Sequence, residues 1–317
     1  MRIVTKPEIL ANFDKQAVLA DIENGFKAFA AGTAQVAPVV HLAFKEANGE
    51  CHVKCAHVGE DDVFTVKLAT GFYDNPALSI SSSNGFMAVI SARHGTPLAI
   101  LQDEGVLTDL RTALAGVIAA SIGMQRHAKV LGIVGTGIQA RLQARLCCEI
   151  LGFTKVVVWG RNGRNAGDLA CALVEALPDV SIEKAENPEA LCANVDVIIT
   201  TTAATSPIIK SEWVKDGTHI VAVGADSPGK QELDTDLFAR AEHIVVDSLV
   251  QCIEHGETTN ALREGAVEEA TLKPLGDVLL AGGLELSPNS ISIADLTGVA
   301  VQDAAIAKSV WSKISDT

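Results

Sequence analysis

The short apolar run Val130-Leu131-Gly132-Ile133-Val134 ends in Gly135-Thr136-Gly137-Ile138-Gln139-Ala140, and a helical pattern follows through Leu142, Leu146 and Ile150 to Gly152. Strand, tight turn and helix in that order are the context in which Gly-x-Gly-x-x-Ala holds a dinucleotide. Gly135 allows the turn, Gly137 lets a pyrophosphate approach the backbone, and Ala140 lets the helix pack close on the strand. The free N–H groups at the helix start then face phosphate. At the end of the next strand, 155–159, no carboxylate stands where an NAD ribose is usually held. Gly160-Arg161-Asn162-Gly163-Arg164 offers arginines instead. Arginine pairs bidentately with a 2′-phosphate, so Arg161 and Asn162 favour NADP(H), with NAD(H) as the alternative. The competing reading is solvated charge at a helix start. Thr200-Thr201-Thr202-Ala203 and Val223-Gly224-Ala225-Asp226 end two further strands at the carboxyl edge, where ligands of such sheets sit.

Three charged residues could do chemistry. Asp226 stands just past an apolar strand and could hydrogen-bond a substrate amine or a water, although Asp-Ser-Pro-Gly is also good turn chemistry. Lys67 interrupts the apolar stretch Val66-Lys67-Leu68, so it either snorkels from an edge or is held for use. Arg111, near the start of a long helix expected from Thr108, opposes the helix macrodipole. That placement suggests it serves an anion such as a substrate carboxylate. Solvated surface charge is the competitor for both.

The elements that must position these residues read as two domains in a chain of 317 residues. Residues 1–112 with 299–317 are expected to form an α+β substrate-binding and dimerisation domain. Its helix is expected at 14–31, and its strands at 39–44, 51–58, 64–68, 87–92 and 98–101, the last two joined at His94-Gly95-Thr96-Pro97. Residues 113–298 alternate strand and helix, the pattern of an α/β, Rossmann-type doubly wound parallel sheet. Strands are expected at 130–134, 155–159, 181–184, 195–200, 218–223, 243–246 and 291–295. A final helix, 302–315, is expected to pack back on the first domain.

Composition excludes several classes. A net charge of −14 argues against non-specific nucleic-acid binding. No apolar run is expected to span a membrane, because Gly116, Ser121 and Gly123 interrupt the longest candidate. The N-terminus lacks the apolar stretch of a signal peptide, and a cytoplasmic protein is expected. The seven cysteines are odd in number and scattered, so reduced thiols are the default. Cys51, Cys55 and His57 share one face of an expected strand, but they lack the Cys-x-x-Cys spacing of structural zinc. Sheet packing is expected there, and no metal.

Four ordered stretches now carry a resemblance that covers nearly the whole chain: Val66-Lys67-Leu68-Ala69-Thr70-Gly71-Phe72-Tyr73-Asp74-Asn75-Pro76, Leu107-Thr108-Asp109-Leu110-Arg111-Thr112-Ala113, the fingerprint through Ala140, and Gly224-Ala225-Asp226-Ser227-Pro228-Gly229-Lys230-Gln231-Glu232-Leu233. The chain resembles the ornithine cyclodeaminase/μ-crystallin family. The resemblance implies a homodimer, a nicotinamide cofactor and a small substrate with an α-amino or α-imino carboxylate. It implies that Arg111 binds the substrate carboxylate, that Lys67 lies against the carboxylate or the reacting nitrogen, and that Asp226 helps handle the amine. Thr112 and the fingerprint amides would serve the cofactor phosphates. Two departures stand out. Ala37-Pro38-Val39-Val40-His41 lacks the arginine that family members often carry in an early Pro-x-Arg segment. Leu296, beside Thr297, replaces a serine that often stands two residues before the late glycine, here Gly298. The function these readings point to is NAD(P)H-dependent reduction of an α-imino acid to an L-amino acid, or the reverse dehydrogenation. The alternatives are ornithine cyclodeamination with bound NAD+ and, in another class, a nucleotide-dependent binding protein for a small ligand.

Overall fold

The computed structural model describes Met1–Ser315 and divides into two compact units. One is Met1–Thr112 together with the chain from Val299, and the other is Ala113–Gly298. Asp316 and Thr317, at the end of the expected first domain, lie outside the described residues.

The first unit is built on a seven-stranded sheet: β1 (Arg2–Thr5), β2 (Ala34–Val36), β3 (Val40–Phe44), β4 (Gly49–Val58), β5 (Val63–Phe72), β6 (Ser83–Ser91) and β7 (Pro97–Gln102). The order is β1-β7-β6-β5-β4-β2, with β3 also paired to β4, and only the β1–β7 pair is parallel. β1 and β2 were not expected; four and three residues long, they carry too little alternation to register as strands. β5 runs four residues beyond its expected end because β6 pairs with it as far as Gly71↔Ser83. The helix Lys15–Ala30 starts where Asp14 Oδ1 accepts from Gln16 N and Ala17 N at 3.0 and 3.2 Å. The helix Ala300–Ser315 packs on β4 and β5. Small side chains permit the approach: Ala300 and Ala304 meet Ala56, and Gly25 leaves no more than a methyl's space below Val301 O.

The second unit carries an eight-stranded, wholly parallel sheet: β8 (Val130–Val134), β9 (Lys155–Trp159), β10 (Ser181–Lys184), β11 (Val197–Thr200), β13 (His219–Ala222), β15 (His243–Val246), β16 (Leu272–Pro274) and β17 (Ser292–Asp295). Its order is β10-β9-β8-β11-β13-β17-β15-β16. Short strands β12 (Thr205–Ile209) and β14 (Gln231–Leu233) pair beside it. The first five large strands follow the doubly wound order, reversing direction between β8 and β11. β11, β13 and β17 are buried at every residue, as strands covered on both faces are, and their polar residues Thr200, His219, Ser292 and Asp295 are hydrogen-bonded. β12, β14 and β16 were not foreseen; β16 is an edge strand ending in Pro274, where a missing N–H costs no ladder bond.

Two expectations about the helix Val106–Gly123 are corrected. It begins before Thr108: Asp103 Oδ2 accepts from Leu107 N at 2.9 Å, and Glu104 and Gly105 turn the chain at φ 53° and 86°. Thr108 is therefore inside the helix, its carbonyl accepting from Thr112 Oγ1 at 2.8 Å. Arg111 is in the second turn, where the macrodipole acts on it less than supposed. The helix is also long and apolar enough to cross a membrane by length and composition, but most of it is buried in the fold. The glycines taken as interruptions are points of close packing. A Cβ on Gly116 would meet the Gln143 side chain at 2.1 Å, and one on Gly123 the His219 ring at 2.1 Å.

Candidate active site

In the first unit β4 and β5 place Lys54 and Lys67 directly across from each other, so both side chains stand on one face of the sheet. The helix Ala300–Ser315 lies over that face and supplies Gln302 and Asp303. Lys67 Nζ donates to Asp303 Oδ1 at 2.9 Å. Arg111 Nε stands 2.9 Å from the same oxygen as an ion pair outside hydrogen-bond alignment, and Arg111 Nη1 donates to Gln302 Oε1 at 2.8 Å. The group is deeply buried: Lys67 and Asp303 are 2% exposed, Arg111 7% and Lys54 9%.

Burial sets the charge states. Desolvation brings Lys67 down to about 7, with Arg111 and Lys54 adding to the effect and Asp303 opposing it. Burial pushes Asp303 up, but Arg111, Lys67 and Lys54 together outweigh it and hold the carboxyl below its ordinary range. Lys67 is thus poised to give or take a proton near neutrality while Asp303 stays ionised. Two buried valences are left over: Arg111 Nε and Asp303 Oδ2 make no hydrogen bond among the described residues. A donor on a cation beside an acceptor on an anion is what an α-amino or α-iminium carboxylate would satisfy.

In the second unit the fingerprint forms the turn between β8 and the helix Ile138–Leu151, which ends at Gly152 in the left-handed conformation. Gly135 has φ 127°, and its N–H donates to Trp159 O at 2.9 Å. A Cβ there would stand 2.4 Å from Thr201 Oγ1. Thr136 interlocks with the next strand end, since a Cβ on Gly160 would meet its Cγ2 at 2.3 Å. Gly137 is exposed, and a Cβ on it would meet no atom within 4 Å. Ile138 is 58% exposed beside it, and no acidic residue sits in the first turn. An open space over a glycine, at a helix start without a side-chain cap, fits a dinucleotide pyrophosphate. Arg161 and Arg164 are exposed past β9, and Asn162 caps the following helix, its Oδ1 accepting from Arg164 N and Asn165 N at 2.9 and 3.3 Å.

The ends of β11 and β13 are tied together by a carboxylate to which sequence reasoning gave no role. Glu232 is fully buried and accepts from Thr200 Oγ1, Thr202 N and Gly224 N at 2.7, 2.6 and 2.9 Å. Burial pushes it up to about 7 against the pull of these donors. Glu232 therefore shapes the loop that carries Thr201, Thr202 and the exposed Ala203; Thr201 Oγ1 itself donates to Val134 O at 3.2 Å. Asp226 turns outward, 55% exposed and paired with Lys230. Of the two departures, Val40 is exposed on β3, and Thr297 donates to Asp247 Oδ1 at 2.9 Å beside the buried Leu296.

Lys67 and Arg111 are thus brought together, and Asp226 is in the other unit. Lys54, Gln302 and Asp303 were missed. Their signal was present: Gln302 and Asp303 are the polar pair inside Val299-Ala300-Val301…Ala304-Ala305-Ile306-Ala307, and a charge in a run of small apolar residues is either paired or used. Among the cysteines and histidine once weighed for zinc, Cys51 is buried, burial pushes the Cys55 thiol up, and His57 Nε2 lies 2.7 Å from Asp61 O.

Comparison with known proteins gives the geometry its context. The family model described as Ornithine cyclodeaminase/mu-crystallin family matches residues 2–317. An uncharacterized cyclodeaminase of Sinorhizobium fredii is 36% identical over 315 residues, covering 97% of this chain and 94% of the relative. The solved structure of an archaeal alanine dehydrogenase dimer with bound NAD superposes with a TM-score of 0.91 at 30% identity, covering 100% of this chain and 96% of that one. The iminosuccinate reductase of Paracoccus denitrificans in complex with NAD+ superposes with a TM-score of 0.90 at 30% identity, covering 100% and 97%.

Proposed function

The chain belongs to the ornithine cyclodeaminase/mu-crystallin family, and we propose that it is an NAD(P)H-dependent enzyme that reduces an α-imino acid to an L-amino acid, or runs that step in reverse. The observation that carries this reading is the buried Lys67–Asp303–Arg111 group with its two unused valences. Arg111 takes the substrate carboxylate. Asp303 Oδ2 accepts from the substrate nitrogen, and the Lys67 ammonium gives that nitrogen a proton. Gly135, Thr136, Gly137, Ile138 and Gln139 would hold the dinucleotide pyrophosphate, Thr201, Thr202, Ala203 and Gly224 would contact the cofactor at the neighbouring strand ends, and Thr112 keeps the phosphate role that the family resemblance implies. When bound, the nicotinamide supplies the hydride that reaches the imine carbon, or accepts it in reverse. Lys67 is preferred over Asp226 as proton donor because it is buried and half-protonated near neutrality, whereas Asp226 is exposed and paired with Lys230. Asp226 is kept for the alternative, ornithine cyclodeamination; the Sinorhizobium relative is named a cyclodeaminase without a substrate.

The role of Lys67 predicts a pH profile. Reduction needs its ammonium, so kcat/KM for the imine is expected to be full below about 7 and to fall as pH rises through it. Oxidation of the amino acid needs the free amine and should rise over the same interval. Asp303→Asn removes the charge that raises Lys67, and is expected to move both limbs to lower pH. Limbs that stay in place in this variant would remove Lys67 as the titrating group.

Arg161 and Asn162 follow the end of β9, and Arg164 is the second residue of the next helix. There the arginines favour NADP(H) over NAD(H). Steady-state kcat/KM is expected to be higher with NADPH than with NADH, and to lose that margin in Arg161→Ala. Equal values in the parent chain would take the 2′-phosphate role away from these residues. The chain assembles as a homodimer in the cytoplasm. Val40, Leu42 and Phe44, 53%, 53% and 43% exposed on one face of β3, form the apolar stripe that a second copy would cover.

A further inference from the structure

The hairpin of β3 and β4 carries a second constellation that the reaction does not use. His41 and His52 are register partners, and Glu50 precedes His52 by two residues, so all three side chains stand on one face. His41 Nε2 and His52 Nε2 lie 3.4 and 3.3 Å from the same carboxylate oxygen, Glu50 Oε2. The two rings are 4.6 Å apart between centroids, tilted by 32°. One ligand atom from each residue falls within 4.8 Å of the other two.

We propose that His41, Glu50 and His52 form a binding site for a borderline divalent transition ion, Zn2+ above all, with a fourth position open to water or to an exchangeable ligand. Without an ion Glu50 accepts a hydrogen bond from His52, and the same separations leave room for an ion seated among the three groups. Neutral N–H···O bonds cluster at about 2.9–3.0 Å, shorter than both contacts. A tetrahedral ion with bonds of about 2.0–2.1 Å has ligand atoms ~3.3–3.4 Å apart, close to the two Nε2–Oε2 separations. The donor set of two imidazoles and one carboxylate is that of zinc sites that keep an open position. The other carboxylate oxygen, Glu50 Oε1, accepts from Tyr73 Oη, the outer hydrogen bond that orients a ligating carboxylate. Side-chain exposures of 50%, 27% and 30% for His41, Glu50 and His52 leave the site open for an ion to enter. On the same face of β4 the next alternate residue is Lys54, so an ion here would stand beside the buried Lys54–Lys67 pair.

The test uses the whole chain, stripped of metal with a chelator and dialysed, then titrated with ZnCl2 by calorimetry and with Co2+ by visible absorption. One Zn2+ per chain is expected, with Co2+ giving the intense absorption of a tetrahedral complex. His52→Gln and His41→Gln should each weaken binding by ~100-fold or more, and Tyr73→Phe by ~10-fold. NADPH affinity and thermal unfolding of the stripped variants should match the parent, which separates loss of the site from loss of the fold. His41→Gln, on a half-exposed residue, keeps the test open if His52→Gln unfolds. Cys55→Ala should leave zinc binding unchanged. No zinc binding at micromolar concentration would overturn the proposal. So would binding that survives both histidine variants, or binding lost in Cys55→Ala instead.

Discussion

Gly137→Val is expected to abolish measurable NADPH and NADH binding while the chain unfolds at its usual temperature. Gly137 has φ −84° and ψ −168°, extended backbone that any residue adopts, and a Cβ there meets nothing within 4 Å. The substitution therefore strains nothing in the protein. What it fills is the space over the helix start, where a pyrophosphate must come within hydrogen-bond distance of the backbone. Gly135→Ala should behave in the opposite way. At φ 127°, with Thr201 Oγ1 only 2.4 Å from the new methyl, it is expected to lose about 1–3 kcal/mol of stability before affinity is considered. Fluorescence titration with each nucleotide, paired with thermal unfolding, reads both effects. Normal nucleotide affinity in Gly137→Val would remove the fingerprint from cofactor binding.

Arg111→Ala is expected to lower kcat/KM by ~10²-fold or more, mostly through KM, as a charge-assisted carboxylate contact is lost. Its second effect is on Lys67. Arg111 is one of the cations that lower Lys67, so removing it lets Lys67 rise above about 7, and the falling limb of the reductive profile moves to higher pH. Asp303→Asn moves the same limb to lower pH. Opposite displacements from two neighbours of one lysine are an electrostatic signature that general loosening of the helix Ala300–Ser315 would not produce. Activity lost without displacement would leave Arg111 as packing around Gln302 and Asp303. Full activity would exclude it from the site.

Seven strands of the second unit were legible, because strands buried on both faces are short apolar runs and the glycines between them have fixed duties, whereas the short β12, β14 and β16 were not. β8, β9, β10 and β15 fall where the alternation put them, and β11, β13 and β17 differ by one or two residues at their ends. The first unit was less so. β1 and β2 are too short for a period, and the helix start moved because Asp103, outside the apolar pattern, supplies the acceptor that Thr108 was expected to supply. The charged site divided in the same manner. Lys67 betrayed itself as a cation in apolar surroundings and Arg111 was picked out by a helix start that lies two residues earlier than expected, whereas Lys54, in Cys51-His52-Val53-Lys54-Cys55, was hidden among residues read for zinc. Asp303 could not be paired with Lys67 before the final helix was laid on β5, since that contact spans 236 positions. Glu232 was in view within a motif, but its task of holding Thr200, Thr202 and Gly224 depends on strand ends meeting in space.

The measurement that bears most directly on imine reduction follows the absorbance of NADPH and of NADH in separate assays. Pyruvate, glyoxylate or oxaloacetate is mixed with ammonia or methylamine, and cyclic imines such as pyrroline-2-carboxylate are tried alongside. Nucleotide oxidation that requires both the carbonyl compound and the amine, or the preformed cyclic imine, is the predicted result. It should be lost in Arg111→Ala. No oxidation with any imine, together with ammonia and proline appearing from ornithine without net reduction of NAD+, would contradict the account and make the enzyme a cyclodeaminase.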